Sequence, residues 1–321
     1  MALASDSIHY TPPPAARNVA QRGEIFPLWL ADTSDYVVLG EDGRRWREKM
    51  IHHGYAMAKP WDGQPVDGCV PWGWSKAVRT VFLNLGVAPS VLPDDAYLNK
   101  IRMLSHRRLT VEAQKKLGYC DVPVEAFSLE ECDNALDRWS RVIGKYPWSS
   151  TGRGLFSGTP EHRESYRRRC AGALNHQGSV MIEPAYDVVL DFAMLFYGSE
   201  QGSIDFRGLS LFKTNNRAYI ENVLLDDASI VKELLKYIAS ADIENVKHIL
   251  LLFLNEKLGG FYKGWMGVDM LVYRDSAGSY GLNPCVEINL RHTMGAVAHE
   301  KVRKLSLSES TPLDFSYGLP E

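Results

Sequence analysis

Six consecutive residues, Val286-Glu287-Ile288-Asn289-Leu290-Arg291, constrain this chain more than any other stretch. Apolar and polar side chains alternate there without a break, and a period of two is the period of a β-strand. Val286, Ile288 and Leu290 are therefore expected to point together into a core. Glu287, Asn289 and Arg291 share the other face, presenting a carboxylate, an amide and a guanidinium in register. Hard cations such as Mg²⁺ take oxygen ligands and usually share them with substrate phosphates. Glu287 and Asn289 offer such oxygens, and Arg291 is suited to neutralise charge on a phosphoryl group or acyl phosphate. A surface strand with a mixed polar face shows the same alternation, so this stretch alone leaves both readings open.

Two further segments bear on the choice. In Val268-Asp269-Met270-Leu271-Val272 the apolar Val268, Met270 and Val272 share a face and Asp269 lies on the other. If this strand pairs with 285–290 through the Ser276-Ala277-Gly278-Ser279 turn, Asp269 comes beside Glu287 and Asn289 and completes three oxygen ligands. The stretch Lys145-Tyr146-Pro147-Trp148-Ser149-Ser150-Thr151-Gly152-Arg153-Gly154 ends a strand on a lysine and continues into a small, hydroxyl-rich loop. Backbone N–H groups of such a loop approach phosphate oxygens closely. It is no Walker A loop, because no Gly-Lys-Ser/Thr follows.

The remaining pattern predicts an α/β and α+β protein. With 321 residues the chain exceeds one ordinary core, so two or three domains are expected. Hydrophobic residues at 45% and charged residues at 23% are those of a globular protein. A net charge of -3 argues against nucleic acid as a partner. The basic run Tyr166-Arg167-Arg168-Arg169 shares its segment with Glu161 and Glu164 and reads as a solvated helix face. Five scattered cysteines without a CxxC pair signal neither zinc nor a disulfide framework, and fit a reducing, cytoplasmic compartment. The apolar run Ile249–Leu254 is far shorter than the roughly 20 residues that span a bilayer, so no membrane role is expected.

Along the chain, a strand is expected at Tyr36–Leu39 and helices at Ser75–Leu85 and Ala96–Lys116. A helix from Leu129 to Trp139 opens on Ser128 with Glu131 three residues on, a capping-box pattern. Strands follow at 141–145 and 180–183 around a helix at 160–175. Further strands are expected at 191–197, 206–212 and 218–225, then helices at 229–238 and 243–258, then the two site strands. The expected division is an N-terminal α/β domain over 1–100 that either lacks its first strand or opens on a loop, subdomains over 101–183 and 184–305, and a tail over 306–321.

Taken in order, these segments resemble the ATP-grasp superfamily, over roughly Met103 to Ala298. Glu287-Ile288-Asn289-Leu290-Arg291 looks like the Glu-x-Asn-x-Arg signature of biotin carboxylase and its relatives, and D-alanine–D-alanine ligase shares the acid and amide positions. The resemblance implies an ATP-grasp fold preceded by an α/β domain, with ATP clasped between two subdomains. It assigns Mg²⁺ to Asp269, Glu287 and Asn289, and the transferring group to Arg291. It assigns ATP to Lys145 and the loop residues Ser149, Ser150, Gly152, Arg153 and Gly154. Val180–Pro184 resembles the strand and hinge that hold adenine, with Glu183 at the acidic position and Asp191, or alternatively Asp187, at the ribose. Arg107 or Arg108 matches an earlier phosphate-binding cation, with Arg107 favoured, and Lys213 is a further candidate.

The implied activity is ligation of a small-molecule carboxylate to an amine or other nucleophile; a kinase or a non-catalytic ATP-binding module stays open, as does a homo-oligomer. Pro71-Trp72-Gly73-Trp74 is a candidate pocket wall, and His292-Thr293-Met294 ahead of Gly295 a candidate acceptor loop.

Overall fold

The computed structural model describes residues 2–12, 14, 17, 20–21, 23–149, 154–215, 218–305 and 311–312. A short helix, Ala2–Ser5, is followed by helices Phe26–Leu30, Glu41–His52, Lys76–Asn84 and Asp95–Leu104. Among the described residues of 1–100 the strands are one parallel pair, β1 (Tyr36–Val37) and β2 (Lys59–Pro60). This part is therefore more helical than its sequence suggests. Leu28, Trp29, Trp46 and Met50 form a core there that also takes in Val297, far along the chain. The Trp29 and Trp46 rings meet edge to face with centroids 5.6 Å apart, a favoured aromatic geometry.

The helix expected over Ala96–Lys116 is two, Asp95–Leu104 and Arg108–Lys116. The break at Ser105-His106-Arg107 is held by two hydrogen bonds, one of them to a distant segment. The Arg107 N–H donates to the Pro147 carbonyl (3.2 Å), and the His106 ring Nδ1 accepts from the Arg108 N–H (3.0 Å).

The next part is a four-stranded antiparallel sheet of β3 (Val124–Ala126), β4 (Val142–Lys145), β5 (Leu155–Gly158) and β6 (Val180–Pro184), ordered β3-β6-β4-β5. Helices Leu129–Trp139 and Arg163–Gln177 pack on it around Leu136, Tyr166, Cys170 and Ile182. Ser128 caps the first helix as expected, its Oγ accepting from the Glu131 N–H (3.2 Å). Glu131 reaches back one residue further than the pattern implies, to the Phe127 N–H. Gly144 makes room for a neighbour, since a Cβ there would lie 2.3 Å from the Phe156 ring. The short β3 and β5 have no sequence signal of their own.

The largest element is a six-stranded antiparallel sheet: β7 (Asp187–Gly198), β8 (Ile204–Asn215), β9 (Ala218–Leu224), β10 (Gly264–Arg274), β11 (Tyr280–Asn289) and β12 (Thr311–Pro312). Their order is β11-β10-β7-β8-β9-β12. Apart from Thr311 and Pro312, the tail expected over 306–321 lies outside the described residues. Phe192, Met194, Phe196, Val268, Met270 and Val272 bury one face of this sheet against helices Asp227–Leu234 and Ser240–Leu258. Alternation leaves Asp191, Ala193 and Asp269 on the opposite face, which looks toward the small sheet.

Val286 departs from its expected place in the core. Asp269 is paired with Glu287, but two residues on Leu271 is paired with Asn283, so the register slips at Asn283–Val286. The bulge sends Cys285 into the core and turns Val286 to the other face. Among the described residues no helix is long and apolar enough to cross a membrane, and the five cysteines form no disulfide.

Ile182 is fully buried at the centre of the small sheet, so Ile182→Ala is expected to cost about 2–5 kcal/mol. Ser128→Ala loses only a helix cap, at about 1 kcal/mol. Chemical denaturation of the two variants checks this ordering.

Candidate functional site

Between the two sheets lies a cavity of about 250 Å³. The small sheet contributes Ile143, Lys145, Leu155 and Glu183, and the large sheet Asp191, Phe212, Asp269, Glu287 and Asn289. Arg107 enters at the helix break, and Arg291, Thr293, Met294 and Gly295 close the end beyond β11. Its lining mixes the apolar Ile143, Leu155, Pro184, Tyr186 and Val188 with a dense set of charged groups.

Strand pairing brings charged groups together. Asp269 and Glu287 are direct cross-strand partners on β10 and β11, where like charges repel. A chain of hydrogen bonds offsets the repulsion. Asn289 Nδ2 donates to Asp269 Oδ2 (3.0 Å), and Arg291 Nη2 donates to Asn289 Oδ1 (2.8 Å). Arg107 Nη2 stands 3.1 Å from Glu287 Oε1. Burial, and then the Glu287 carboxylate, push the Asp269 carboxyl up to about 7, against the opposing pull of Arg291, Asn289 and Arg107.

Arg107 is buried and triply held. Its Nε donates to the Tyr146 carbonyl and its Nη2 to Ser149 Oγ, each at 3.2 Å, besides the pairing with Glu287. Arg108 points elsewhere, gripping Glu125 on β3 through two bonds of 2.6 and 2.7 Å. On the small sheet the Lys145 ammonium lies 2.5 Å from Glu183 Oε1 and 3.5 Å from the Val286 carbonyl. Both members of that pair are buried. Asp191 accepts from Thr214 Oγ1 (2.7 Å), and burial raises its carboxyl above the usual range.

The structure thus brings Arg107, Lys145, Glu183, Asp191, Asp269, Glu287, Asn289 and Arg291 to one cavity. Ser149 and Gly154 sit beside it, in a neighbouring hollow with Tyr146 and Trp148. Gly154 has a left-handed φ of 79°, and a Cβ there would come 3.2 Å from that of Ser149. Ser150, Gly152 and Arg153 lie outside the described residues. Lys213 does not join the group. Phe212 and Thr214 face the cavity, so period two turns Lys213 outward, where it pairs with Glu221 across the strands at 2.7 Å.

His292 is tied to the N-terminal part rather than left open to the cavity. Its Nδ1 meets the Pro71 carbonyl at 2.9 Å, and its N–H donates to the Trp72 carbonyl (2.8 Å). Burial lowers its basicity. Gly73 packs on Arg291 so closely that a Cβ added to the glycine would lie 3.0 Å from the arginine Cβ. The Pro-Trp-Gly-Trp segment therefore braces the cavity at Arg291.

Among the lining residues that escape sequence reasoning are the polar Tyr186, Thr214, Tyr219 and Asn222. Thr214 lies beyond the expected end of its strand. Tyr186 stacks on Tyr273 with centroids 4.2 Å apart and donates to Asp121 (3.2 Å). A polar Asn222 inside a strand is the one available signal; it is fully enclosed, donating to Ser210 Oγ (2.6 Å) and accepting from the Tyr219 hydroxyl (2.5 Å).

No protein-family model and no curated protein matches the sequence. Among solved structures, the chain is similar to N5-carboxyaminoimidazole synthetase from Staphylococcus aureus, with 13% identity and a TM-score of 0.40 over 65% of this chain and 53% of that one. It is similar to carboxyaminoimidazole ribonucleotide synthase from Aspergillus clavatus, complexed with ATP, with 15% identity and a TM-score of 0.49 over 88% and 78% of the two chains. It is also similar to D-alanyl-alanine synthetase A from Vibrio cholerae, with 11% identity and a TM-score of 0.46 over 73% and 69%. The chain spans about half the length of the first of these, 53%.

The raised Asp269 carboxyl has a consequence for stability. A carboxyl whose folded pKa lies near 7, against about 3.9 unfolded, binds its proton more tightly in the native state. Its contribution is complete below about pH 4 and is lost as pH rises through 7. Asp269→Asn is therefore expected to gain stability over the parent at about pH 8, with a smaller difference near pH 5. Urea denaturation at the two pH values reads this.

Proposed function

We propose that this chain is an ATP-grasp enzyme that uses Mg²⁺–ATP to activate a carboxylate of a small molecule as an acyl phosphate, which an amine or other nucleophile then attacks. One observation carries the reading. Cations from the small sheet and the helix break, Lys145 and Arg107, face two carboxylates, an amide and an arginine of the large sheet across a single cavity. The order of these residues along the chain is similar to that of ATP-grasp enzymes, and the apolar lining residues Ile143, Leu155 and Tyr186 offer surface for a nucleobase.

The donor set suits Mg²⁺. Asp269 and Glu287 are adjacent carboxylates on paired strands, so a cation held between them would relieve their repulsion. With the Asn289 amide oxygen they make an all-oxygen, hard-ligand set. When bound there, Mg²⁺ would supply charge neutralisation for nucleotide phosphate oxygens.

The chain's own contribution is positioning and charge. Lys145 and Arg107 hold phosphate oxygens. The substrate carboxylate oxygen bonds to the γ-phosphorus as the bond to ADP breaks. Arg291, in the same cavity lining, neutralises the acyl phosphate. The nucleophile then bonds to the acyl carbon and phosphate leaves. Thr293 and the first turn of the helix Met294–Leu305 face this second step, and the N-terminal Trp72–Gly73 segment keeps Arg291 in place.

The reading is tested by incubation with Mg²⁺–ATP and pooled small acids and amines. ADP and free phosphate are expected together with a condensed product. Phosphate retained on the product would make the enzyme a kinase, and no ADP at all would leave a binding module. Glu287→Gln keeps size but removes a ligand charge, so turnover is expected to fall at least ~100-fold, with circular dichroism showing that the variant, which loses the Arg107 ion pair but also the Asp269 repulsion, is folded. Ile288→Ala, on the core side of the same strand, is expected to cost about 2–5 kcal/mol in stability instead. Lys145→Ala is expected to weaken ATP binding in a calorimetric titration; an unchanged affinity in the folded variant removes Lys145 from the phosphate site.

A further inference from the structure

Arg107 and Glu287 occupy each other. The guanidinium is buried, and its Nη2 is 3.1 Å from Glu287 Oε1. The pair joins two elements distant in sequence, the helix break at 105–107 and the strand β11. It also ties in the loop, because the same Nη2 donates to Ser149 Oγ (3.2 Å). Under the nucleotide reading, on which this inference rests, each partner has a second assignment: Arg107 a phosphate, Glu287 a divalent cation.

Those assignments exclude the pairing. A divalent cation at Glu287 and Asp269 would stand within a few ångströms of the guanidinium and repel it. A phosphate without metal would draw Arg107 away and leave Glu287 beside Asp269, two carboxylates face to face. Each ligand alone thus leaves a buried charge without its partner, which is unfavourable. Both together exchange partners and leave none. We infer that the Arg107–Glu287 pair is a partner-exchange latch that makes nucleotide and divalent cation bind as mutually dependent ligands. Linkage makes the effect reciprocal: by whatever factor metal strengthens nucleotide binding, nucleotide strengthens metal binding.

The latch predicts an effect opposite to that of a simple loss of function. Glu287→Gln releases Arg107, so ATP in EDTA is expected to bind this variant about tenfold more tightly than the parent. Mg²⁺ is then expected to add much less to its affinity than to the parent's. Removing a negative charge also favours an anion through space, and the double variant Arg107→Gln/Glu287→Gln separates the two effects. The gain from Glu287→Gln is expected to vanish when Arg107 is already Gln.

Isothermal titration with ATP in EDTA and in Mg²⁺, on the parent and the three variants, measures all of this; circular dichroism checks folding. Arg107→Lys replaces Arg107→Gln if the latter does not fold, and should lose most of the same gain, because a compact ammonium lacks the planar fork that spans Tyr146, Ser149 and a phosphate. If the parent binds ATP tightly in Mg²⁺ but Glu287→Gln shows no gain in EDTA, the latch is overturned and the nucleotide reading stands. A gain of full size in the double variant also overturns it. Absence of ATP binding throughout overturns the nucleotide reading and the latch with it.

Discussion

Two carboxylates on neighbouring strands cannot stand opposite each other without help. That repulsion between Asp269 and Glu287 organises the large sheet's working face. Asn289 and Arg291 form a hydrogen-bonded relay to Asp269, while Arg107 answers Glu287 from outside the sheet. Each of these groups is spoken for by the next, so none is free to adopt another rotamer at small cost. A half-satisfied polar network would be worse than an apolar one.

The supports of this network come from three places. The helix Arg108–Lys116 runs along the β11 edge and covers it: Thr110 Oγ1 accepts from the Ile288 N–H (3.3 Å), and Gln114 donates to the Cys285 carbonyl (2.5 Å) and to Asn283 (3.1 Å). These contacts cap the backbone around the bulge and hold the helix that begins just after Arg107. The N-terminal segment braces Arg291 through Gly73 and holds His292. The small sheet brings Lys145, itself restrained by Glu183. Sheet edges invite unwanted pairing, and here the covering of an edge and the placing of a cation are the same act.

The alternation at 286–291 and 268–272 is enough to foresee the hairpin and the approach of Asp269 to Glu287, because period two is a local property. The bulge at Asn283–Val286 is not foreseeable by that rule: a register slip leaves composition unchanged and reverses the side that Val286 faces. The choice between Arg107 and Arg108 is equally closed to local reasoning. As members of one long helix they would differ only by rotation; contacts with Pro147 and His106 break the helix and send them to opposite tasks. Lys213 shows the converse. Its charge is the right kind, but its parity on β8 turns it outward, and that parity becomes readable only once Thr214 extends the strand. Short strands such as β3 and β5 depend on neighbours for their existence, so their residues carry little independent pattern.

The helix Met294–Leu305 begins at the cavity and ends in the N-terminal core, where Val297 packs beside Trp29 and Leu28. Residues 25–58 leave the ribosome early, yet their tryptophans lack part of the surface they bury against until that distant helix has been made. Closing a loop of that size brings its entropy cost before its contacts. The N-terminal core is therefore complete only when that distant helix has joined it. The charged cavity, braced by Gly73 against Arg291, thus shares its supports with a core assembled from segments more than 200 residues apart in the chain.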